Sequence, residues 1–166
     1  HYHAYGGIPS NGPYIERQGY IIHFDQKNKT PRWVAYHVKP SYLDTPPRKG
    51  QWGKFRNDPD IPNEATEKDY KNQFRTWRNY AKGHLVPYYI SGGDRDNDGI
   101  DAEDGDAEDA QTVYEIMYMS NIAPQHHHNF NGSGGLWYNL ETYVRNILLK
   151  EQQKEVWVIS GCIYGK

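Results

Sequence analysis

The stretch "SNIAPQHHHNFNGSGGLWYNLE", Ser120–Glu141, joins a short apolar segment to a run of asparagine and glycine and then to an apolar-periodic segment. The apolar residues at helical spacing in and after this last segment are Leu136, Leu140, Tyr143 and Ile147. Their spacing, with Gly134 and Gly135 directly before them, predicts a helix over "LWYNLETYVRNILLKEQQ". The stretch therefore leads from a polar loop onto the start of a long helix.

Extended segments surround this helix. The residues "GYIIHFDQKNKTPRWVAYHV" predict a hairpin, with β-rich runs at Gly19–Phe24 and Arg32–Val38 on either side of a polar turn. A buried strand is predicted at "EVWVISGCIYG", and another at "QTVYEIMYMSNI", entered through a short helical turn. We also expect an extended piece at Leu85–Ile90 and a long ordered loop at Lys39–Arg78, where proline, aspartate and asparagine are frequent. Strands with one strong helix indicate an α+β domain.

Length and composition fit one globular domain. The chain has 166 residues, of which 36% are hydrophobic, and this is enough to bury a core. No apolar run reaches the roughly 18 to 20 residues of a membrane span, so we expect no membrane partner. A single cysteine, Cys162, excludes an internal disulfide.

The net charge of −2 conceals an asymmetry. The segment Asp94–Asp109 holds nine acidic residues and one arginine, whereas the rest of the chain has 18 basic and 12 acidic residues. A basic body with one acidic insert could attract a polyanion such as DNA or RNA through its phosphate backbone.

Three polar residues could act together on a phosphodiester. His84, in "NYAKGHLVP", could activate water, because a neutral imidazole accepts a proton near neutral pH. Asn131 could hold Mg²⁺, a hard cation that prefers oxygen ligands and keeps several waters, and Mn²⁺ could substitute for it. Glu141 could orient the waters bound to that metal. Each residue also has a simpler explanation, as a strand-edge histidine, a turn-forming asparagine and an exposed helical glutamate. Their joint occurrence in this order favours the chemical interpretation.

The chain resembles the DNA/RNA non-specific endonucleases of the ββα-metal (His-Me finger) fold. Their signature is Asp-Arg-Gly-His, then Ser-Asn-Ile-x-Pro-Gln, then Asn-x-Gly-x-Trp-x-x-Leu-Glu, and this chain has "AKGH", "SNIAPQ" and "NGSGGLWYNLE". Supporting matches are "GGIP", "RQGYIIHFDQ", "PRWVAYHV" and "FRNDPDIP", so the similarity covers nearly the whole chain.

The resemblance implies an α+β fold in which an antiparallel sheet accompanies a long metal-site helix. It also implies that His84 is the general base, that Asn131 is the magnesium ligand and that Glu141 holds metal-bound waters. Lys82 takes the position of the signature arginine. The resemblance implies a further arginine, in the preceding loop, that stabilises the transition state. We assign it to Arg48, with Arg56 as the rival, and Asn129 remains an alternative metal ligand.

Several departures separate this chain from the family pattern. Ala81 replaces the signature aspartate, and Lys82 lacks the planar fork of arginine. Family members continue with further strands after "VISGCIYGK", so we expect residues 1–166 to be one domain that is incomplete at its C-terminal end. These departures support an alternative in which the chain is a catalytically weakened family member that binds nucleic acid or a protein partner.

Two further motifs concern metals. Asp94, Asp96 and Asp98 alternate before Gly99 and resemble the opening of a calcium loop, although Gly105 stands where a bidentate glutamate is expected. The insert is otherwise a solvated acidic loop. The run His126–His128 offers a third hypothesis, a zinc hydrolase, but adjacent histidines point in different directions and favour a loop. From the family and the calcium-like loop we expect a secreted or periplasmic protein.

Overall fold

The computed structural model describes residues 1–73 and 80–165. Within these residues, six strands form two antiparallel sheets, and the larger sheet has the order β1-β2-β3-β6. Its strands are β1 (Ile15–Glu16), β2 (Ile21–Asp25), β3 (Thr30–Val38) and β6 (Val156–Ser160). The smaller sheet pairs β4 (Tyr80–His84) with β5 (Ile122–His126).

Three helices complete the described part of the chain. They are α1 (Glu67–Gln73), α2 (Ala107–Ile116) and α3 (Leu136–Tyr143), which a π-helical segment extends over Val144–Glu151. Short 3-10 turns lie at Pro40–Leu43, Gly50–Gly53, Tyr88–Ile90 and Met119–Asn121, and a π-helical turn lies at His127–Asn131. No helix among these residues is long and apolar enough to cross a membrane.

Strand β3 is the centre of the fold because it is buried on both faces. Val34, Tyr36 and Val38 point into the main core, which also contains Val113 and Ile116 of α2. The opposite face, with Trp33 and Ala35, packs with Ala4 and Ile8 of the N-terminal segment in a smaller apolar cluster. Successive side chains of a strand point to opposite faces, and both faces of β3 are buried. This explains why "PRWVAYHV" is almost continuously apolar.

The hairpin and the long helix are confirmed. The last strand is present as β6, but it is not buried as predicted, because Trp157 and Ile159 are exposed and the strand ends at Ser160. The pairing of β2 with β3 matches the predicted hairpin, with a register irregularity at His23 and Phe24. The helix begins at Leu136 as predicted, but most of its periodic apolar side chains do not enter the core. The exposed fractions of Leu136, Leu140 and Tyr143 are 74%, 50% and 50%. The helix is anchored instead by Val144 and Leu149, which are buried.

The strand predicted over "QTVYEIMYMSNI" is wrong, because most of this segment is helical. Asp106 caps α2 by accepting hydrogen bonds at 2.8 Å from the backbone N–H groups of Glu108 and Asp109. Thr112, Val113 and Ile116 then bury one helical face, and β5 begins only at Ile122. The last residues of the Asp94–Asp109 insert therefore belong to a helix and not to a loop.

Two other predictions need correction. The extended piece at Leu85–Ile90 is wrong, because the strand ends at His84 and Tyr88–Ile90 forms a 3-10 turn. The loop predicted at Lys39–Arg78 contains helix α1 and two 3-10 turns, and residues 74–78 lie outside the described residues.

Candidate active site

The three motif residues line one cavity. Its volume is about 380 Å³, and it lies between the β4–β5 sheet, helix α3, the loop that carries Arg48 and the turn at Tyr88–Ile90. The polar residues in its wall are Arg48, Lys82, His84, Gln125, Asn131, Glu141, Thr142 and Arg145. His84 ends β4, Asn131 ends the π-helical turn after β5, and Glu141 is on α3. Residues that are distant in sequence thus converge on one space.

Glycine before His84 is required by the pairing of β4 with β5. Gly83 lies opposite Ala123, and a Cβ at this position would overlap the side chain of Gln125. Gln125 is 5% exposed, and its Oε1 is buried without a hydrogen-bond partner among the described residues. The glycine therefore makes room for an amide that reaches the cavity wall beside His84.

Asn121 fixes the chain directly after His84. Its Oδ1 accepts from the N–H of Val86 at 2.9 Å, and its Nδ2 donates to the carbonyls of Val86 (3.1 Å) and Ile116 (2.9 Å). The backbone N–H of Leu85 also donates to the Asn121 carbonyl at 3.0 Å. Since Asn121 is fully buried, these bonds set the direction of the chain beyond the histidine.

Ser120 ties the same segment to the "FRNDPDIP" loop. Its hydroxyl donates to Asp58 at 2.6 Å, and Asp58 also forms a buried ion pair with Arg17. Arg17 bonds Asp60 as well, at 2.7 Å. Breaking one member of such a network leaves a buried charge without compensation, so the network holds the loop beside the site.

His84 is a neutral imidazole in this environment. Burial lowers its pKa to about 3, and the nearby cations Arg48 and Lys82 add to the effect. Its Nε2 faces the Met117 sulfur at 3.3 Å, a weak acceptor, and its ring lies 5.6 Å from that of Phe55. A thioether sulfur can only accept, so a hydrogen bond at this contact requires the tautomer with the hydrogen on Nε2 and the lone pair on Nδ1.

Glu141 stands between the cavity and an apolar pocket. Burial raises its pKa to about 7, against the opposing influence of Trp137 and Arg145. A second pocket of about 100 Å³, lined by apolar side chains such as Val144 and Val158, lies behind it. Glu141 therefore faces the polar cavity on one side and apolar side chains on the other. The apolar side explains why the charged form of its carboxyl group is disfavoured.

The structure brings some of the proposed alternatives into the cavity and leaves others out. Asn131 lines it, with Oδ1 3.3 Å from His127 Nδ1, whereas Asn129 is exposed and is not part of its wall. Arg48 lines it and lies 5.4 Å from the Phe55 ring, whereas the Arg56 guanidinium bonds the carbonyls of Lys54 and Gln51.

Sequence reasoning missed residues that share the wall. Three of them, Tyr138, Thr142 and Arg145, lie on α3 and its π-helical extension together with the predicted Glu141. Glu141, Thr142 and Arg145 are three, four and seven residues after Tyr138, so all four face the cavity. This spacing could have identified Arg145 once Glu141 was assigned. Gln125 is the last residue of the "SNIAPQ" segment, but its helical spacing to the other wall residues is undefined, and only the pairing of β4 with β5 turns it toward the cavity.

The donors around Asn131 fit a hard divalent cation. They combine a neutral amide oxygen, the carboxylate of Glu141 and the unpartnered Oε1 of Gln125, all in one cavity wall. Oxygen donors of this kind suit Mg²⁺ or Mn²⁺ better than Zn²⁺, which prefers nitrogen and sulfur. His126–His128 do not form a metal-ligating group with other side chains in the described parts of the chain.

The acidic loop keeps its three aspartates together. Asp94, Asp96 and Asp98 can each offer an oxygen within 4.8 Å of the others, and Asp94 accepts the Gly99 N–H at 2.9 Å. Backbone N–H groups of the same loop therefore use these carboxylates, and binding of calcium there stays a prediction.

Comparisons with known proteins agree with this geometry. The family model described as DNA/RNA non-specific endonuclease matches residues 3–166. The mitochondrial nuclease EXOG of Danio rerio is 32% identical over 160 residues, which are 93% of this chain and 38% of that protein. Nuclease C1 of Cunninghamella echinulata var. echinulata is 25% identical over 155 residues, which are 91% of this chain and 52% of that nuclease.

Among solved structures, the crystal structure of the EndoG/EndoGI complex superposes with a TM-score of 0.68 at 22% identity. The match covers 95% of this chain and 56% of that one, and it confirms the ββα-metal nuclease fold. The chain spans less than two thirds of the length of these relatives. Because the family model matches nearly every residue, the chain belongs to the DNA/RNA non-specific endonuclease family.

Proposed function

We propose that this protein is a metal-dependent endonuclease that hydrolyses phosphodiester bonds of DNA, RNA or both with little sequence specificity. The observation that carries the proposal is the convergence of His84, Asn131 and Glu141 on one cavity whose wall also contains Arg48 and Lys82. Membership of the family supports the same reaction class.

His84 would take the proton of the attacking water through Nδ1, the nitrogen that carries the lone pair. A pKa of about 3 makes the free imidazole a weak base, but Arg48 and Lys82 contribute to that low value. A bound phosphodiester would pair with these cations and bring its own negative charge, so the basicity of His84 would rise when substrate binds.

Asn131 and Glu141 would hold the metal and its waters, with Gln125 as a further oxygen donor in the wall. Bound Mg²⁺, or Mn²⁺ in its place, would neutralise charge on the phosphate oxygens and the leaving oxygen. Arg48 and Lys82 would contact the nonbridging oxygens, where negative charge increases in the transition state. Arg145, one turn beyond Glu141, lies in the same wall and would add to this positive field.

Lack of sequence specificity would follow from contacts to phosphate and sugar alone, because these groups carry no base information. Binding should then weaken as salt rises. The acidic insert would oppose binding from one side. Burial is the main reason that the pKa of Tyr88, a residue of the cavity wall, is raised, and the negative charge of Glu103 in the insert adds to the effect.

Plasmid nicking in Mg²⁺, with a chelator control, tests the proposal. His84→Ala should reduce nicking by at least about 100-fold, the usual contribution of a general base. His128→Ala is the matched control, because His128 is exposed and outside the cavity wall. Thermal unfolding of both variants separates lost chemistry from lost structure.

Full activity in a folded His84→Ala variant would overturn the mechanism. Binding of nucleic acid without any metal-dependent cleavage by the unaltered chain would instead support the alternative of a catalytically weakened binding protein.

A further inference from the structure

A second cleft lies beside the catalytic cavity. Its volume is about 480 Å³, and it is bounded by the loop around Phe55 and by the start of α1. Phe55 belongs to its wall and at the same time packs against His84, with 5.6 Å between the ring centroids. One aromatic ring thus separates this cleft from the proposed base.

An ion pair also joins the two spaces. Lys82, in the wall of the catalytic cavity, bonds Glu67 of the cleft at 2.6 Å, and its Nζ lies 4.0 Å from the centroid of the Phe55 ring. A chain molecule that passes from the cavity over Phe55 would therefore enter the cleft directly.

The cleft is positively charged, although the whole chain carries −2. Its described wall contains the cations Arg56, Lys68 and Lys71 and one carboxylate, Glu67, whose charge Lys82 already neutralises. Lys68 and Lys71 are exposed, and neither has a carboxylate within 4.0 Å in the described part of the chain.

Arg56 is held rigidly by neutral groups. Its guanidinium donates to the carbonyls of Lys54 and Gln51 and lies 4.1 Å from the Tyr114 ring centroid. Its backbone bonds Met117 and Met119 as well. No carboxylate compensates its charge among these contacts, so Arg56 adds a full positive charge to the wall of the cleft.

We propose that this cleft is a subsite for the phosphodiester backbone of nucleotides that flank the scissile bond. The inference rests on the proposed function. Lys68, Lys71 and Arg56 supply the charge that phosphates need, and the half-buried Phe55 offers apolar surface to a sugar or the face of a base.

Fluorescence anisotropy with a labelled 20-nucleotide single strand tests the subsite, with chelator present so that nothing is cleaved. The double variant Lys68→Gln/Lys71→Gln should weaken binding about 5- to 20-fold at 50 mM salt, since each surface charge contact contributes modestly. The slope of log K against log salt should fall by about 1.4 for the two lost contacts. The control is Lys150→Gln/Lys154→Gln, an equal charge change at exposed positions outside the cleft.

A variant that removes a negative charge should tighten binding, an effect that damage to the fold would not produce. Glu67→Gln removes the described carboxylate of the cleft and frees Lys82 from its ion pair, so the positive charge along the cleft and the adjoining cavity rises by one and binding should tighten about two- to fivefold. Equal weakening by the two lysine pairs, or unchanged binding in Glu67→Gln, would overturn the subsite. The readout needs no catalysis, so a chain that binds as stated but never cleaves would refute the proposed function and leave the subsite standing.

Discussion

Asn121→Ala should be among the most destabilising single substitutions near the site. The change removes three hydrogen bonds and leaves the Val86 N–H and the carbonyls of Val86 and Ile116 without their partner in a fully buried position. Each buried polar group that loses its partner costs about 1–3 kcal/mol. The sum, with carbonyls toward the lower end, is about 3–6 kcal/mol. This is a large part of the roughly 5–15 kcal/mol that stabilises a typical domain.

Urea unfolding and thermal unfolding, both followed by tryptophan fluorescence, measure this loss as a free energy and as a midpoint temperature. The midpoint temperature should fall by about 10–20 °C, since about 1 kcal/mol shifts a domain of this size by roughly 2–4 °C. Asn139→Ala is the control, because its side chain is exposed and makes one 3.3 Å bond to Gly134, so its cost should stay below about 0.5 kcal/mol. A loss under about 1 kcal/mol in Asn121→Ala would refute the view that this side chain fixes the chain beyond His84.

Three further outcomes are expected. Of the two loop arginines, Arg48 lines the candidate active-site cavity and Arg56 lines the second cleft. Arg48→Ala should therefore lower kcat about 100-fold or more, whereas Arg56→Ala should mainly raise KM. Steady-state kinetics that show the reverse would exchange the roles of the two arginines. Glu141, with a pKa of about 7, is a carboxylate above that pH, so Mg²⁺ affinity by titration calorimetry should fall about tenfold per unit below pH 7. Glu141→Gln should remove this dependence, and a pH-independent affinity in the unaltered chain would contradict the assignment. Gly83→Ala should cost about 1–3 kcal/mol in urea unfolding, because the added methyl overlaps Gln125, and an unchanged midpoint would show that the amide moves aside freely.

The sequence predicted the elements whose pattern is set by their own neighbours. The hairpin around β2 and β3 follows from apolar runs and a polar turn, and α3 follows from its spacing. Helix α2 could not be recognised in the same way, because "QTVYEIMYMS" is rich in residues that favour strands. The decisive local signal was Asp106, which caps the helix from inside the acidic insert. Because the whole Asp94–Asp109 insert was predicted to be a loop, Asp106 was not recognised as the residue that caps α2.

The sequence predicted which motif residues share the site, but it did not predict which side-chain contacts they make. Motif order was enough to expect His84, Asn131 and Glu141 together, and the cavity contains all three. The choice between Arg48 and Arg56 depended on where two guanidinium groups point, and no spacing in the loop carries that information. Gln125 likewise reaches the cavity only through the register of β4 against β5. Contacts of this kind come from tertiary packing, which the local pattern does not record.

Ala81 and Lys82 replace the aspartate and arginine of the family signature, and the contacts of Lys82 show how the chain compensates for this change. The family pattern places a carboxylate and an arginine next to each other before the histidine, and this chain lacks both. Lys82 nevertheless has a carboxylate partner, because Glu67 of α1 bonds it at 2.6 Å. Its ammonium group also lies 4.0 Å from the centroid of the Phe55 ring. An aspartate at 81 would sit in a strand, where successive side chains alternate between faces, so it could not bond Lys82 in the way that Glu67 does. The cation at position 82 is therefore held by a residue of a separate element, α1. Lysine in place of arginine keeps the positive charge at this position but lacks the planar fork that would contact a phosphate with two hydrogen bonds.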